Sequence, residues 1–421
     1  GERLGACTDC RRFWARFRAG EIDQPEMKEI EAKLAPSAGT CMVMGTASTM
    51  ACVTEAMGMM LPGGACIPAV MAERLRNAEA TGARAVAIAK EKLTPSRIMT
   101  ADAFENGLRM LLAIGGSTNA IVHMAAMAGR LGIELDLEGF DRMGRDTPVL
   151  VDLKPTGQHY MEDLDKAGGV TTILRELMPQ LKLKALTITG KTLGQNIKAA
   201  PAGWKQEVVR PFNNPIFKGG SIAVLRGNLA PDGAIVKQAA ASPKLMQHEG
   251  RAVVFDSLPD MAARIDSPDL DVTPDDILVL RNAGPIGAPG MPEAGYIPIP
   301  KKLAQKGLKD MLRMSDARMS GTAFGAIVLH ITPESAVGGP LALVQNGDRI
   351  RLDVKNRKLE LLVSDEELAV RRKKWKAPKP RKGDERGYRK LFMDTVQQAD
   401  KGCDFEFLTA PLTKRTPSAK R

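Results

Sequence analysis

Cys41, Glu293 and Ser320 are the residues of this 421-residue chain whose types and settings suit chemistry. Cys41 ends a small-residue stretch, Ser37-Ala38-Gly39-Thr40, and precedes a segment where Ala47, Met50, Ala51, Met57 and Met60 recur at roughly helical spacing. Ahead of a helix N-terminus, free backbone N–H groups and the helix dipole favour anionic sulfur, whether a thiolate or the sulfides of a cluster. A buried, inert cysteine is the other reading, because unpaired Cys is among the most buried residue types. Glu293 is the only carboxylate in the Gly- and Pro-rich run from Arg281 to Glu293, so it suits a hard cation such as magnesium while falling far short of a coordination sphere. Ser320, in SDARMSGTAFG, has Arg318, Thr322 and flexible glycines around it. It is a candidate nucleophile or base, with no Lys or His in that stretch to activate it.

Other motifs carry less. Gly115-Gly116-Ser117-Thr118-Asn119 feeds a second apolar segment with Ile121, Met124, Ala125, Ala128 and Leu131 on one face. Such a turn either receives a carboxylate or phosphate on its N–H groups or is an ordinary capped helix. Cys7 and Cys10 have C-x-x-C spacing without a second pair, which suits a structural role better than a zinc site. His123 reads as a packed or hydrogen-bonded core residue and not a ligand, and His159, His248 and His330 have no partner at i, i+4, so histidine-based zinc chemistry is poorly supported. The formal charge of +11 is concentrated in Arg371 to Lys390, where eleven Lys/Arg face Asp384 and Glu385. Its prolines forbid one continuous helix, so this segment reads as a solvated linker or surface strap, and nucleic acid is not the expected partner.

These residues need elements to position them. Up to about Leu183 helices dominate. Beyond it short strand-like runs recur at Ala185 to Thr189, Ser221 to Leu225, Ala252 to Phe255, Ile277 to Leu280, Ala326 to His330, Arg349 to Val354 and Leu359 to Val363. The expected class is α/β: an incomplete N-terminal layered α/β domain over 1–188, a β-barrel-like domain with flanking helices over 189–370, and a basic extension over 371–421. The six cysteines are too sparse and uneven for a disulfide framework, and no apolar run approaches a membrane span, so a reducing cytoplasm is expected. The chain opens at Gly1 in mid-phrase, and the expectation is that its natural beginning is missing.

Five stretches, SAGTCMVMGTASTM, GGSTNAIVH, GSIAVLRGNLAPDGAIVK, RNAGPIGAPGMPEAG and SDARMSGTAFG, taken in this order, resemble the dihydroxy-acid and sugar-acid dehydratase family, which includes 6-phosphogluconate dehydratase. The likeness covers nearly the whole chain. Cys41 to Met50 and the ending Gly402 to Leu408 are similar to the aldonate branch. The resemblance implies loss of water from a 2,3-dihydroxy acid, a pentonate such as L-arabinonate, to give a 2-keto-3-deoxy acid. It implies Cys41 as the last of three cysteines holding a 2Fe-2S cluster whose open iron binds the departing hydroxyl. It further implies Glu293 as a magnesium (Mg2+) ligand, Ser320 as the base at C2, Thr322 as a substrate contact or support for Ser320, and a homodimer or homotetramer. A serine serves as base only if nearby cations hold it as alkoxide, which metal would supply in place of His.

Two departures set the remaining expectations. The family's Cys-Asp-Lys motif does not occur, and Cys7 and Cys10 do not stand at matching positions. The chain alone is therefore expected to be inactive, its other cluster and magnesium ligands lying upstream. Ala317 and Thr322-Ala323 replace residues more usual in branched-chain members. A branched-chain dihydroxy-acid dehydratase, or a noncatalytic fragment that keeps the fold, are the alternatives.

Overall fold

The computed structural model describes residues 3–34, 41–411 and 414–415; the small-residue loop expected just ahead of Cys41 falls at 35–40, outside the described residues. Helices make up most of the first part of the chain: Ala6–Ala19, Gln24–Lys33, Thr46–Ala56, Ala72–Lys90, Ala101–Ala113 and Asn119–Arg130. The Ala101–Ala113 helix opens at Thr100, a residue type suited to an N-cap, whose Oγ1 accepts from the Ala103 N–H at 3.4 Å. The helix after Cys41 stops at Ala56, because Gly58 turns the chain at φ +81°. Strand β1 (Ile133–Glu134) pairs in parallel with β10 (Lys414–Arg415) near the other end of the chain.

The remaining strands close into a barrel. In chain order they are β2 (Ala223–Gly227), β3 (Ala230–Val236), β4 (Gln247–Phe255), β5 (Ile277–Leu280), β6 (Arg313–Ser315), β7 (Ile327–Thr332), β8 (Arg349–Asp353) and β9 (Lys358–Leu361). Around the barrel the order is β2-β3-β7-β6-β5-β4-β8-β9. The fold is thus mixed α/β, a closed eight-stranded barrel with flanking helices, as the sequence led one to expect. Ala185 to Thr189 differs: it is a turn with one bridge, Leu186 to Thr192, because Thr187 and Thr189 bond each other and Asn196 in place of a neighbouring strand.

Alternation along the strands assigns each face. Ala223, Leu225, Val279, Val328, Ile350 and Leu352 fill the barrel. Val224, Ile235, Ile327 and Leu329 point outward and pack on Phe104, Leu108, Leu111, Ile121 and Met124 of the helices. This shared core fixes the helices against one side of the barrel. On another side Val253, Phe255, Leu278 and Leu280 pack with Met261, Ile265 and Leu303.

The site depends on one pairing. β5 and β6 run parallel, with Leu278 opposite Arg313 and Leu280 opposite Ser315. Their C-terminal ends therefore emerge side by side, one into the Glu293 loop and the other into the Ser320 loop. The basic segment is a strap: its first residues lie in the Asp365–Lys374 helix, where Arg371 pairs with Asp348 and Arg372 donates to the Gly338 carbonyl at 2.8 Å. Further on, Arg381 donates to the Gly287 carbonyl at 2.8 Å, tying the strap to the Glu293 loop. Among the described residues no helix is long and apolar enough to cross a membrane.

Candidate active site

Two helix N-termini and two barrel loops meet at one place. No side chain caps the Thr46–Ala56 helix, because its N-cap residue is Gly45; the Thr46 hydroxyl, on the first helical residue, lies 2.9 Å from Ser117 Oγ and accepts from Asn119 Nδ2 at 3.0 Å. Thr49 Oγ1, one turn on, accepts from the Ser117 N–H at 3.0 Å. The GGSTN turn is thereby stitched to the start of the cysteine helix, and both positive helix ends face the same region. Within the turn, Ser117 Oγ also accepts from the Asn119 N–H at 3.2 Å.

Cys41 lies just before this junction, its carbonyl accepting from Ser48 Oγ at 3.2 Å. A Cβ added to Gly45 would stand 3.0 Å from Cys41 Sγ and 3.0 Å from the Thr322 methyl. Gly45 is therefore the small residue that lets the cysteine and the serine loop approach each other. From the other side Gly321 presses against the same junction, where an added Cβ would fall 2.5 Å from Ser117 Cβ and 3.0 Å from the Gly45 carbonyl carbon.

On the serine loop, Ser320 Oγ and Thr322 Oγ1 are 2.8 Å apart, and the Thr322 N–H points to Ser320 Oγ at 3.4 Å. Arg11, from the first helix, reaches Thr322 Oγ1 at 3.4 Å and lies over the Tyr296 ring at 4.7 Å. A cleft of about 970 Å³ opens behind Arg11, lined by Cys7, Cys10, Trp14, Tyr296 and Phe324. Its lining includes none of Cys41, Glu293 and Ser320; Arg11 is the residue that joins the cleft to the Thr322 loop.

Glu293 joins the junction through Asn119, whose Nδ2 donates to Glu293 Oε1 at 2.6 Å, and through Arg318, whose Nη1 approaches the same oxygen at 3.3 Å. The loop that carries Glu293 is held by two buried carboxylates. Glu334 accepts from the Ile286 N–H at 3.0 Å and the Gly287 N–H at 2.8 Å, and Asp316 accepts from the Ala283 N–H at 3.0 Å. Burial pushes both carboxyls up, against the backbone amides that bond them. At the loop's far end Met291 takes φ +47°, its sulfur 3.4 Å from Cys403 Sγ. Burial pushes that thiol up to about 12, which makes Cys403 a packing contact and not a thiolate.

All four residues predicted from sequence lie at this junction: Cys41 and Thr322 on either side of Gly45, Ser320 beside Thr322, and Glu293 one side chain away through Asn119. Sequence reasoning missed Asn119 as the link to Glu293, Arg11 on Thr322, and Arg318 on Glu293. Cys7 is exposed on the cleft, and partial burial first, then Cys41 nearby, raises its thiol. His123 is exposed on its helix, where a packed position was expected. His330 is the buried one, held down at about 3 by burial, Arg318 and His123, and it is neutral at pH 7. Among the described residues no three His, Cys, Asp or Glu side chains converge as a metal site of their own.

The chain matches two family models, the dihydroxy-acid/6-phosphogluconate dehydratase N-terminal model over residues 2–196 and the C-terminal model over residues 207–403. It is 48% identical over 410 residues to the L-arabinonate dehydratase of Rhizobium leguminosarum bv. trifolii, covering 97% of this chain and 70% of that protein. The L-arabonate dehydratase of Azospirillum brasilense is 47% identical over 426 residues, 99% of this chain and 73% of its own length. A dihydroxy-acid dehydratase of Syntrophobacter fumaroxidans is 42% identical over 367 residues, 87% of this chain and 65% of its own length.

Proposed function

The chain belongs to the dihydroxy-acid/6-phosphogluconate dehydratase family and is a hydro-lyase, and from that premise we propose that it removes water from a sugar acid, a pentonate such as L-arabinonate, to give a 2-keto-3-deoxy acid. The observation that carries the reading is the meeting of Cys41 and the Ser320–Thr322 hydroxyl pair across Gly45. The identities to the two arabinonate enzymes, 48% and 47%, support a sugar acid over the branched-chain acid suggested by the relative at 42%.

In this reading Ser320 Oγ takes the C2 proton. Thr322 Oγ1, 2.8 Å away, fixes the direction of the Ser320 lone pairs and bonds the substrate when Ser320 turns toward it. Asn119 and Arg318 hold the Glu293 carboxylate in one orientation, so that it faces the junction. The two helix N-termini draw the substrate carboxylate toward the same point.

The residues fit the metal groups of the family as members of a larger donor set. Cys41, ahead of an uncapped helix, would hold an iron–sulfur cluster, and Glu293, partly exposed and already oriented, would hold magnesium. When bound, these groups supply Lewis acidity for the leaving hydroxyl and charge to stabilise the acidified C2 position. On this reading the chain needs further ligands beside Cys41 and Glu293 to turn over. A dimer or tetramer goes with it, since the Ala72–Lys90 helix has no buried residue and exposes Leu75 and Val86.

The test is a substrate panel on the metal-loaded, full-length protein, with arabinonate, xylonate, gluconate and 2,3-dihydroxyisovalerate, scored by 2-keto acid formed. A pentonate is expected to give a kcat/KM at least about tenfold above dihydroxyisovalerate, the discrimination a pocket with hydroxyl-bonding groups supplies. Preference for dihydroxyisovalerate would favour the branched-chain reading, and no keto acid from any of them a noncatalytic role.

A further inference from the structure

Lys237 directly follows β3 and is 1% exposed, among the largest fully buried side chains of the chain. Its Nζ lies 3.5 Å from the Gly321 carbonyl oxygen. Among the described residues no carboxylate pairs with it, and burial alone lowers its pKa to about 7. A buried amine without a counter-charge is costly to a fold. What stands above it is the turn that carries the Ser320 hydroxyl.

The geometry of that turn gives the amine a target. The Gly321 carbonyl and the Thr322 N–H belong to one peptide group. The carbonyl faces Lys237 Nζ, and the N–H faces Ser320 Oγ at 3.4 Å. An Nζ–H donated to the carbonyl, most strongly when the amine carries its charge, polarises the peptide and makes its N–H a stronger donor to the serine oxygen. Both contacts are long, as catalytic hydrogen bonds often are before substrate binds and tightens them. We propose that Lys237 is a positioning residue for Ser320, acting through the Gly321–Thr322 peptide to steady and stabilise the oxygen as it becomes a base. The inference rests on the reading of Ser320 as the C2 base.

The test compares Lys237→Met, Lys237→Gln and Ser320→Ala in the metal-loaded, full-length protein. Measured for each are kcat, KM, the isotope effect with C2-deuterated substrate, and amide hydrogen exchange across residues 316–326. Lys237→Met is expected to lower kcat roughly 10–100-fold, the range for partners that orient a reacting group from one step away, with KM little changed. The deuterium effect should grow as proton removal becomes limiting, while exchange in the turn stays slow. Lys237→Gln, which keeps a donor to the Gly321 carbonyl, should recover part of the loss. If Lys237→Met keeps wild-type kcat while Ser320→Ala is inactive, the lysine inference fails and the base assignment survives. If Ser320→Ala stays active, the underlying assignment fails and the inference with it. A Lys237→Met enzyme with fast exchange in the turn and an unchanged isotope effect would reduce Lys237 to a structural residue, which also overturns the proposal.

Discussion

Ser320→Ala is expected to lower kcat by roughly 10³-fold, within the range for loss of a positioned general base, while leaving KM within severalfold of wild type. The substitution removes one oxygen from a loop held by other contacts. Gly321 stays wedged against Ser117 and Gly45, and the Thr322 carbonyl still accepts from Thr8 Oγ1 at 3.2 Å. Stability and cluster content should therefore match wild type, and the loss should lie in proton removal. Steady-state kinetics beside a thermal melt and an iron assay check this. A variant that keeps a tenth or more of the activity would take the base role away from Ser320.

The second large effect is expected at Cys41. Cys41→Ser exchanges a soft sulfur donor for a hard, poorly acidic hydroxyl in nearly the same volume, ahead of a helix whose N-terminus no side chain caps. Bound iron and the visible absorbance of the cluster should fall, and activity should drop on the order of 100-fold or more, at least as much as losing an outer-shell partner costs. The fold should survive, because the neighbouring packing rests on Val43, Met44 and Cys52, all fully buried. An iron-replete, active Cys41→Ser protein would return Cys41 to the inert cysteine that its small-residue setting also allows.

How much of this could be read in advance differs from element to element, for physical reasons. The Ala101–Ala113 helix and the β5 strand were legible because their signals are local: a threonine cap on the one, four apolar residues between breakers on the other. Strands β3 and β6 were not expected. β3 carries Pro231, Asp232 and Gly233, which weaken a strand pattern, and β6 is three residues long. Ala185 to Thr189 has the right residue types, yet its threonines find partners within the turn. Cys41, Glu293 and Ser320 stood out through residue type and loop setting, and the family resemblance gave them roles. What joins them was out of reach. Asn119 meets Glu293 across 174 positions, and Arg11 meets Thr322 across 311. Such contacts are set by how the helices pack on the barrel, and no spacing rule encodes them. The one hint of Lys237 was a charged residue directly after the apolar run Ala234-Ile235-Val236, a place where a side chain has little choice but to enter the core.

The central claim is that this site takes a proton from C2 and expels the hydroxyl at C3 of a sugar acid. NMR of the product formed from L-arabinonate in D2O by the metal-loaded, full-length protein tests it most directly. The account predicts a 2-keto-3-deoxy acid with one solvent-derived deuterium at C3, since the C2 proton leaves through Ser320 and the enol is protonated from water. A product with no deuterium at C3, its C2 hydrogen carried over intact, or no keto acid at all, would contradict it.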